Sequence, residues 1–343
     1  MARFRWFRKP APSLPVVDGE SVFAALSPFR IDPKFVSRVW GYNDLRPWYD
    51  RVAEGGEPIG EVWLTGDDCL VATGSHAGKS LAQLFKEAPE ALLGKAAPSP
   101  ESPILIKVIF AREKLSVQVH PDDWLAQKYG QPRGKTECWY ALSAEPGAQV
   151  AAGLKPGVTL DEVRKQIHDG TLETSLQTVP VAAGDMIFVD AGTVHAIWPG
   201  SILLETQQNC DITYRMFDYG RPRELHIEKS LEATRLTTRA GKVPARRLDN
   251  RTILLDEDYF NIERIPVSVS RASSTLPGPG ETTAGLSYLF AASGSCRLTS
   301  PSFAQIDLPA RGIVCVPASS PMFALQDLGD LDLIRISPRW PER

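Results

Sequence analysis

Proline and glycine recur so often in this chain that long helices have little room. There are 28 Pro and 26 Gly among 343 residues, and the apolar runs between them are short. Proline removes a backbone donor and glycine weakens helix interiors. Short apolar runs bounded by turn residues read as strands. "PILIKVIFA" (Pro103–Ala111) is a buried strand, and "KLSVQVH" alternates, with Leu115, Val117 and Val119 on one face and Ser116, Gln118 and His120 on the other. The expectation is a mainly β fold, a sandwich or barrel with helical decoration.

Three stretches carry helical period. "KSLAQLFKEAPEALLG" puts Leu81, Leu84 and Phe85 on one face, with Pro89 breaking or restarting the turn. "TLDEVRKQIHDG" has a capping box in Thr159 and Glu162, a stop at Gly170, and a stripe of Leu160, Val163 and Ile167. "RELHIEKSLEATRL" (Arg223–Leu236) is a further helix candidate. From about Thr252 strands return, interrupted by the loop "SSTLPGPGETT", and this last segment holds no His. The expected organisation is a basic N-terminal arm over 1–20, a main β domain over 21–245 with a small helical insertion near 159–176, and a second β domain over 246–343.

A net charge of −3 gives no basic field for nucleic acid. No apolar run is long enough to cross a membrane, and no apolar stretch follows the basic start as in a signal peptide. The five Cys are scattered without a C-x-x-C pair, which fits reduced thiols in a cytoplasmic protein.

Chemistry concentrates around two of the five His. Gln118 and His120 share a strand face, their Cα atoms ~7 Å apart at ~3.4 Å per residue. Glu137 opens another strand, "ECWYAL", and His195 follows a strand and tight turn in "GDMIFVDAGTVHA". Two imidazoles, a carboxylate and an amide oxygen make a mixed N/O donor set suited to Zn²⁺ or Fe²⁺. On the residues alone, hydrogen-bonded core histidines remain the competing reading. His168 suits the last turn of its helix, His76 a surface loop, and His226 helix packing.

"GDMIFVDAGTVHA" resembles the second cupin motif, with Gly184, Gly192 and His195 in place and Asp190 where Pro is usual. "QVHPDD" with "GKTE" resembles the modified first cupin motif of type I phosphomannose isomerases. "ETQQNCDITYRMFDYGR" (Glu205–Arg221) is similar to that family's segment around its active-site Arg, and "GEVW" (Gly60–Trp63) also matches. The resemblance covers roughly residues 30–235. It implies a cupin-type β-barrel or jelly roll, with the C-terminal segment as a second, degenerate cupin unit. It implies one Zn²⁺ on Gln118, His120, Glu137 and His195, and a hexose phosphate isomerised between mannose 6-phosphate and fructose 6-phosphate. Arg215 would be the active-site Arg, with Asp211, Glu205 and Lys135 as candidates for proton transfer. Lys107 and Ser116 would lie near the phosphate, and Lys135 near the phosphate or the metal. Two other readings stay open: a non-haem iron dioxygenase using His120, Glu137 and His195, and a non-catalytic cupin that binds a sugar phosphate.

Overall fold

The computed structural model describes residues 25–95, 97–267 and 285–340. The basic arm and the "SSTLPGPGETT" loop lie outside the described residues. Among these residues the fold is carried by three antiparallel sheets, of nine, seven and five strands, with five short α-helices.

The seven-stranded sheet is the middle layer. Its strand Ile104–Phe110 is buried at every position. That is why its sequence is a continuous apolar run: both faces are packed. Ile104, Ile106, Val108 and Phe110 pack with Ile262, Tyr288, Ile313 and Ile334 of the nine-stranded sheet. Ile109, on the alternate face, packs with Trp139, Val150, Ile187 and Ile197. Lys107 shares that alternate face. Register places Lys107 opposite Glu205, and Glu205 opposite Trp139, so Glu137 and Glu205 also point inward.

The five-stranded sheet faces this inward side. Its own inner residues are Gln118, paired in register with both His195 and Arg215. Its outer face carries Val117, Val119, Val194, Ala196, Tyr214 and Met216, packed against Val163 and Ile167 of one helix and Leu231 of another. Two facing antiparallel sheets thus enclose the polar interior, as in the expected cupin-type fold, and they remain separate ladders.

The helix Leu160–Asp169 has its Thr159–Glu162 capping box and a left-handed Gly170 at φ 72°. Val163 and Ile167 are buried, but Leu160 is 39% exposed. It sits in the first turn, outside the buried stripe formed by Val163 and Ile167. Pro89 starts a second helix, Pro89–Leu93, directly after Leu81–Glu87. The expected helix over Arg223–Leu236 is only Ile227–Ala233. His226 is held before it, donating its N–H to the Arg215 carbonyl at 2.8 Å and accepting the Arg215 N–H on Nδ1 at 3.2 Å. Leu115 also departs from expectation. The strand spans only Val117–Val119, and Leu115 packs with Trp40 on the inner side.

The nine-stranded sheet contains the strands from Arg246 onward and also the strand Phe29–Asp32. Phe29 pairs with Cys315 and Arg30 with Val314. All five cysteines are free and buried.

Candidate active site and metal centre

His120, Glu137 and His195 come together between the two facing sheets, their ligand atoms within 4.8 Å of one another. Glu137 Oε2 lies 3.5 Å from His120 Nε2, and Oε1 lies 3.4 Å from His195 Nε2. All three residues are about 1% exposed. Burial, reinforced by the Lys135 charge, holds His120 well below the ordinary imidazole pKa. Burial likewise lowers His195 to about 4. Both rings are therefore neutral at pH 7 and keep a lone pair. The His195 Nδ1–H donates to the Thr193 carbonyl at 2.8 Å, which turns the Nε2 lone pair toward the cluster. Gln118 Nε2 stands 3.3 Å from His195 Nε2, and a half-turn of the amide presents its oxygen there instead.

This donor set fits a metal ion. Both Glu137 oxygens are buried without a well-aligned hydrogen-bond donor, although Lys135 Nζ is 3.1 Å from Oε2. Lys135 meets one oxygen only, and Oε1 faces just the His195 Nε2 lone pair at 3.4 Å, an arrangement that costs several kcal/mol unless a second cation meets it. Two neutral imidazoles and this carboxylate, with the Gln118 amide adjacent, make an N/O set of the kind Zn²⁺ takes.

The loops that aim these ligands have specific chemistry. Gly134 lies flat against the turn after His120, where an added Cβ would stand 2.5 Å from the Pro121 carbonyl oxygen. Its N–H donates to Asp123 Oδ1 at 2.7 Å, and the Lys135 N–H donates to the Pro121 carbonyl at 3.0 Å. This closure returns the chain so that Glu137 starts its strand beside His120. On the other side, Gly192 adopts φ +90° and donates to the His120 carbonyl at 2.8 Å. Asp190 accepts the Thr193 hydroxyl at 2.9 Å and the Arg239 N–H at 3.2 Å. Those bonds give Asp190 its reason at the usual Pro position: it ties the turn that leads into His195.

Three more charges are buried on the inner wall. Lys107 Nζ lies 2.9 Å from Glu205 Oε1 and 3.5 Å from Glu61 Oε1. Burial alone would discharge Lys107, but Glu205 and Glu61 outweigh it and raise its pKa. Burial would likewise raise Glu61, yet Lys107 and Arg38 hold it at about 2. Glu205 goes the other way. Full burial and the nearby Glu137 charge outweigh Lys107 and push its pKa up. Trp139 Nε1 donates to Glu205 Oε2 at 3.1 Å.

A cavity of about 380 Å³ opens over this wall. Lys107, Ser116, Gln118, Lys135, Glu205, Asp211 and Arg215 all line it. Gln118 and Lys135 reach the histidine cluster, so the cluster marks the inner end. The candidate residues thus converge on one space. Arg215 is half-buried, donates Nη1 to the Glu224 carbonyl at 2.9 Å, and leaves Nε without a partner. Asp218 is clamped by Arg221 and Arg223, not by Arg215.

A mannose-6-phosphate isomerase of Streptococcus mutans is 34% identical over 284 residues, 76% of this chain and 88% of that protein. The chain belongs to the type I phosphomannose isomerase family. The model of that family's catalytic domain matches residues 29–152. The probable mannose-6-phosphate isomerase GmuF of Bacillus subtilis is 33% identical over 259 residues, covering 70% of this chain and 80% of GmuF. The structure of the mannose 6-phosphate isomerase from Bacillus subtilis superposes with a TM-score of 0.79 at 27% identity, over 91% of this chain and 99% of that one. Membership in the phosphomannose isomerase family separates the isomerase reading from the iron dioxygenase and the non-catalytic cupin.

Within this family frame, the cavity also holds Arg38, Trp40, Thr213 and Arg223, which sequence reasoning missed, and Glu61, which it quoted without a role. Arg38 lies in "KFVSRVW", where an irregular register sets Ser37 and Tyr42 against the same Ile59. No local pattern announces such a residue. Glu61 had one signal, a carboxylate between apolar neighbours in a strand that is nearly all buried.

Proposed function

We propose that this protein interconverts mannose 6-phosphate and fructose 6-phosphate, with one Zn²⁺ held by Gln118, His120, Glu137 and His195. The observation that carries the reading is the buried Glu137, its Oε1 without a donor, between two neutral imidazoles beside a charge-lined cavity. Zinc, when bound there, supplies Lewis acidity toward the oxygens on C1 and C2 of the sugar.

The side chains then divide the work. Aldose–ketose isomerisation removes the proton on C2, leaves a cis-enediolate, passes the hydroxyl proton from O2 to O1, and returns the first proton to C1. Glu205 takes that proton: full burial raises its pKa toward the range where a carboxyl group both accepts and returns protons. Glu61 remains ionised throughout, because Lys107 and Arg38 hold it low, and it keeps Lys107 compensated when Glu205 is protonated. The electron pair left by the C2 proton goes to the enediolate oxygens. Arg215, whose charge is permanent, stands over them as counter-ion. Lys135 lies at the same end, 3.1 Å from His120 Nε2, and donates to the sugar oxygens there. Asp211, exposed at the cavity rim, accepts from a sugar hydroxyl.

Among the described residues no helix is long and apolar enough to cross a membrane. The five buried free thiols support a reducing compartment, the cytoplasm. A coupled assay on mannose 6-phosphate, run with and without a chelator beside metal analysis, tests the reading. Turnover that chelation abolishes and zinc restores is expected. Stoichiometric iron with oxygen uptake, or binding without exchange at C2, would overturn it.

A further inference from the structure

Resting on the isomerase reading, the question is what holds the substrate's phosphate. Lys107 is closed between two carboxylates, and Lys135 belongs to the metal end. Both side chains are only 4% exposed. An open-chain hexose phosphate with C1 and C2 at the cluster carries its phosphate along the cavity away from it, past Ser116 on the wall. Arg38 and Arg223 line this same cavity, with side chains 30% and 28% exposed. Both are far more exposed than Lys107 and Lys135, so an anion entering the cavity reaches them before those lysines.

Each of these arginines is aimed from behind by a buried carboxylate. Arg38 gives Nη2 to Glu61 Oε2 at 2.8 Å and Nη1 to the Ser37 carbonyl at 3.3 Å. Arg223 gives Nε and Nη2 to Asp218 at 2.6 and 2.7 Å. Its Nη1 makes no hydrogen bond among the described residues. Asp218 and Glu61 are 3% and 6% exposed, so the guanidinium planes have fixed supports. Arg223 also stands close enough to Arg215 to lower that group's pKa, after burial. Clustered guanidiniums with unused N–H donors are suited to a phosphate dianion, which offers planar pairs of oxygens to the guanidinium fork.

We propose that Arg38 and Arg223 are the phosphate receptors of this site and set its preference for phosphorylated over free hexose. The test uses the zinc-loaded full chain and the variants Arg38→Gln, Arg223→Gln, Arg38→Lys and Arg223→Lys. Steady-state kinetics on mannose 6-phosphate and on free mannose give the preference ratio, and inorganic phosphate serves as inhibitor. Each Gln variant is expected to lower the ratio of kcat/KM values about 10–100-fold and to weaken phosphate inhibition by a similar factor. Equal losses on both sugars, with phosphate inhibition unchanged, would overturn the proposal. If a Gln variant does not fold, the Lys variants decide: weaker phosphate inhibition supports the receptor role, and unaltered inhibition defeats it. If the wild-type chain does not isomerise mannose 6-phosphate, the isomerase reading fails by itself. Calorimetric binding of inorganic phosphate, lost or kept in the same variants, then still decides what Arg38 and Arg223 hold.

Discussion

Lys135 Nζ lies 3.1 Å from His120 Nε2 and 3.1 Å from Glu137 Oε2, so a lysine cation shares two of the atoms proposed to hold zinc. Two positive charges compete for one carboxylate. A dication held by His120 and Glu137 would repel the ammonium from these two atoms. Lys135→Met is therefore expected to hold zinc roughly tenfold more tightly or better, while kcat falls about 100-fold. Chelator-exchange kinetics and steady-state assays check it. A variant that releases zinc faster than wild type would contradict this competition.

Glu205→Gln removes the proposed proton carrier but keeps the acceptor for Trp139. kcat is expected to fall about 100- to 10,000-fold with little change in KM. Deuterium at C2 should then stay on the sugar during long incubation. Wash-out at the wild-type rate would move the shuttle to Lys135 or Asp211.

The acid limb of stability should report Glu61. Its carboxyl sits at about 2 in the fold against an ordinary 4.5. A depressed carboxyl stabilises the folded state fully above the unfolded pKa, and that contribution is lost as pH falls through the folded one. Wild type should thus exceed Glu61→Gln by on the order of 3 kcal/mol near neutrality, with the gap closing between about pH 4.5 and 2. Urea unfolding across that range checks it; a gap that widens on acidification would be inconsistent with the Lys107 and Arg38 pairing.

Two glycines of one loop should separate shape from backbone conformation. At Gly134 an added Cβ meets the Pro121 carbonyl oxygen at 2.5 Å, whereas at Gly130, with φ +77°, nothing lies within 4 Å. Gly130→Ala is expected to cost about 1 kcal/mol and leave zinc affinity alone. Gly134→Ala should cost about 1–3 kcal/mol and also weaken zinc, because Glu137 follows it by three residues. Denaturant unfolding beside metal titration distinguishes the two.

The local pattern was legible wherever a single strand decided it. Alternation in "SVQVH" placed Gln118 on a shared face, and the unbroken run around Lys107 announced a strand packed on both sides. The helix Leu160–Asp169 was readable from its caps, although its first Leu stayed in water. What alternation does not carry is the identity of the facing layer. Arg38 and Arg223 reach the cavity from opposite ends of the catalytic segment, Arg38 held by Glu61 on the next strand and Arg223 by Asp218 five residues before it. His226 was read as helix because its neighbours have helical period, yet the Arg215 backbone claims it. These bonds join neighbouring strands and the turns after them, and alternation within one strand does not show which residue is set beside it.

The pairing of Phe29–Asp32 with Ile313–Val316 has a consequence for how the protein is made. An early strand waits for a partner nearly three hundred residues later, and the face formed by Ile104, Ile106, Val108 and Phe110 waits for Ile262, Tyr288, Ile313 and Ile334 well beyond it. During synthesis that greasy face emerges long before its cover does. A nascent chain halted near residue 245 should bind chaperones and be cut readily by proteases, and zinc alone should not rescue it. Among the described residues the last hundred contribute no ligand to the cluster, yet their arrival on the ribosome is the event that closes the core beneath it.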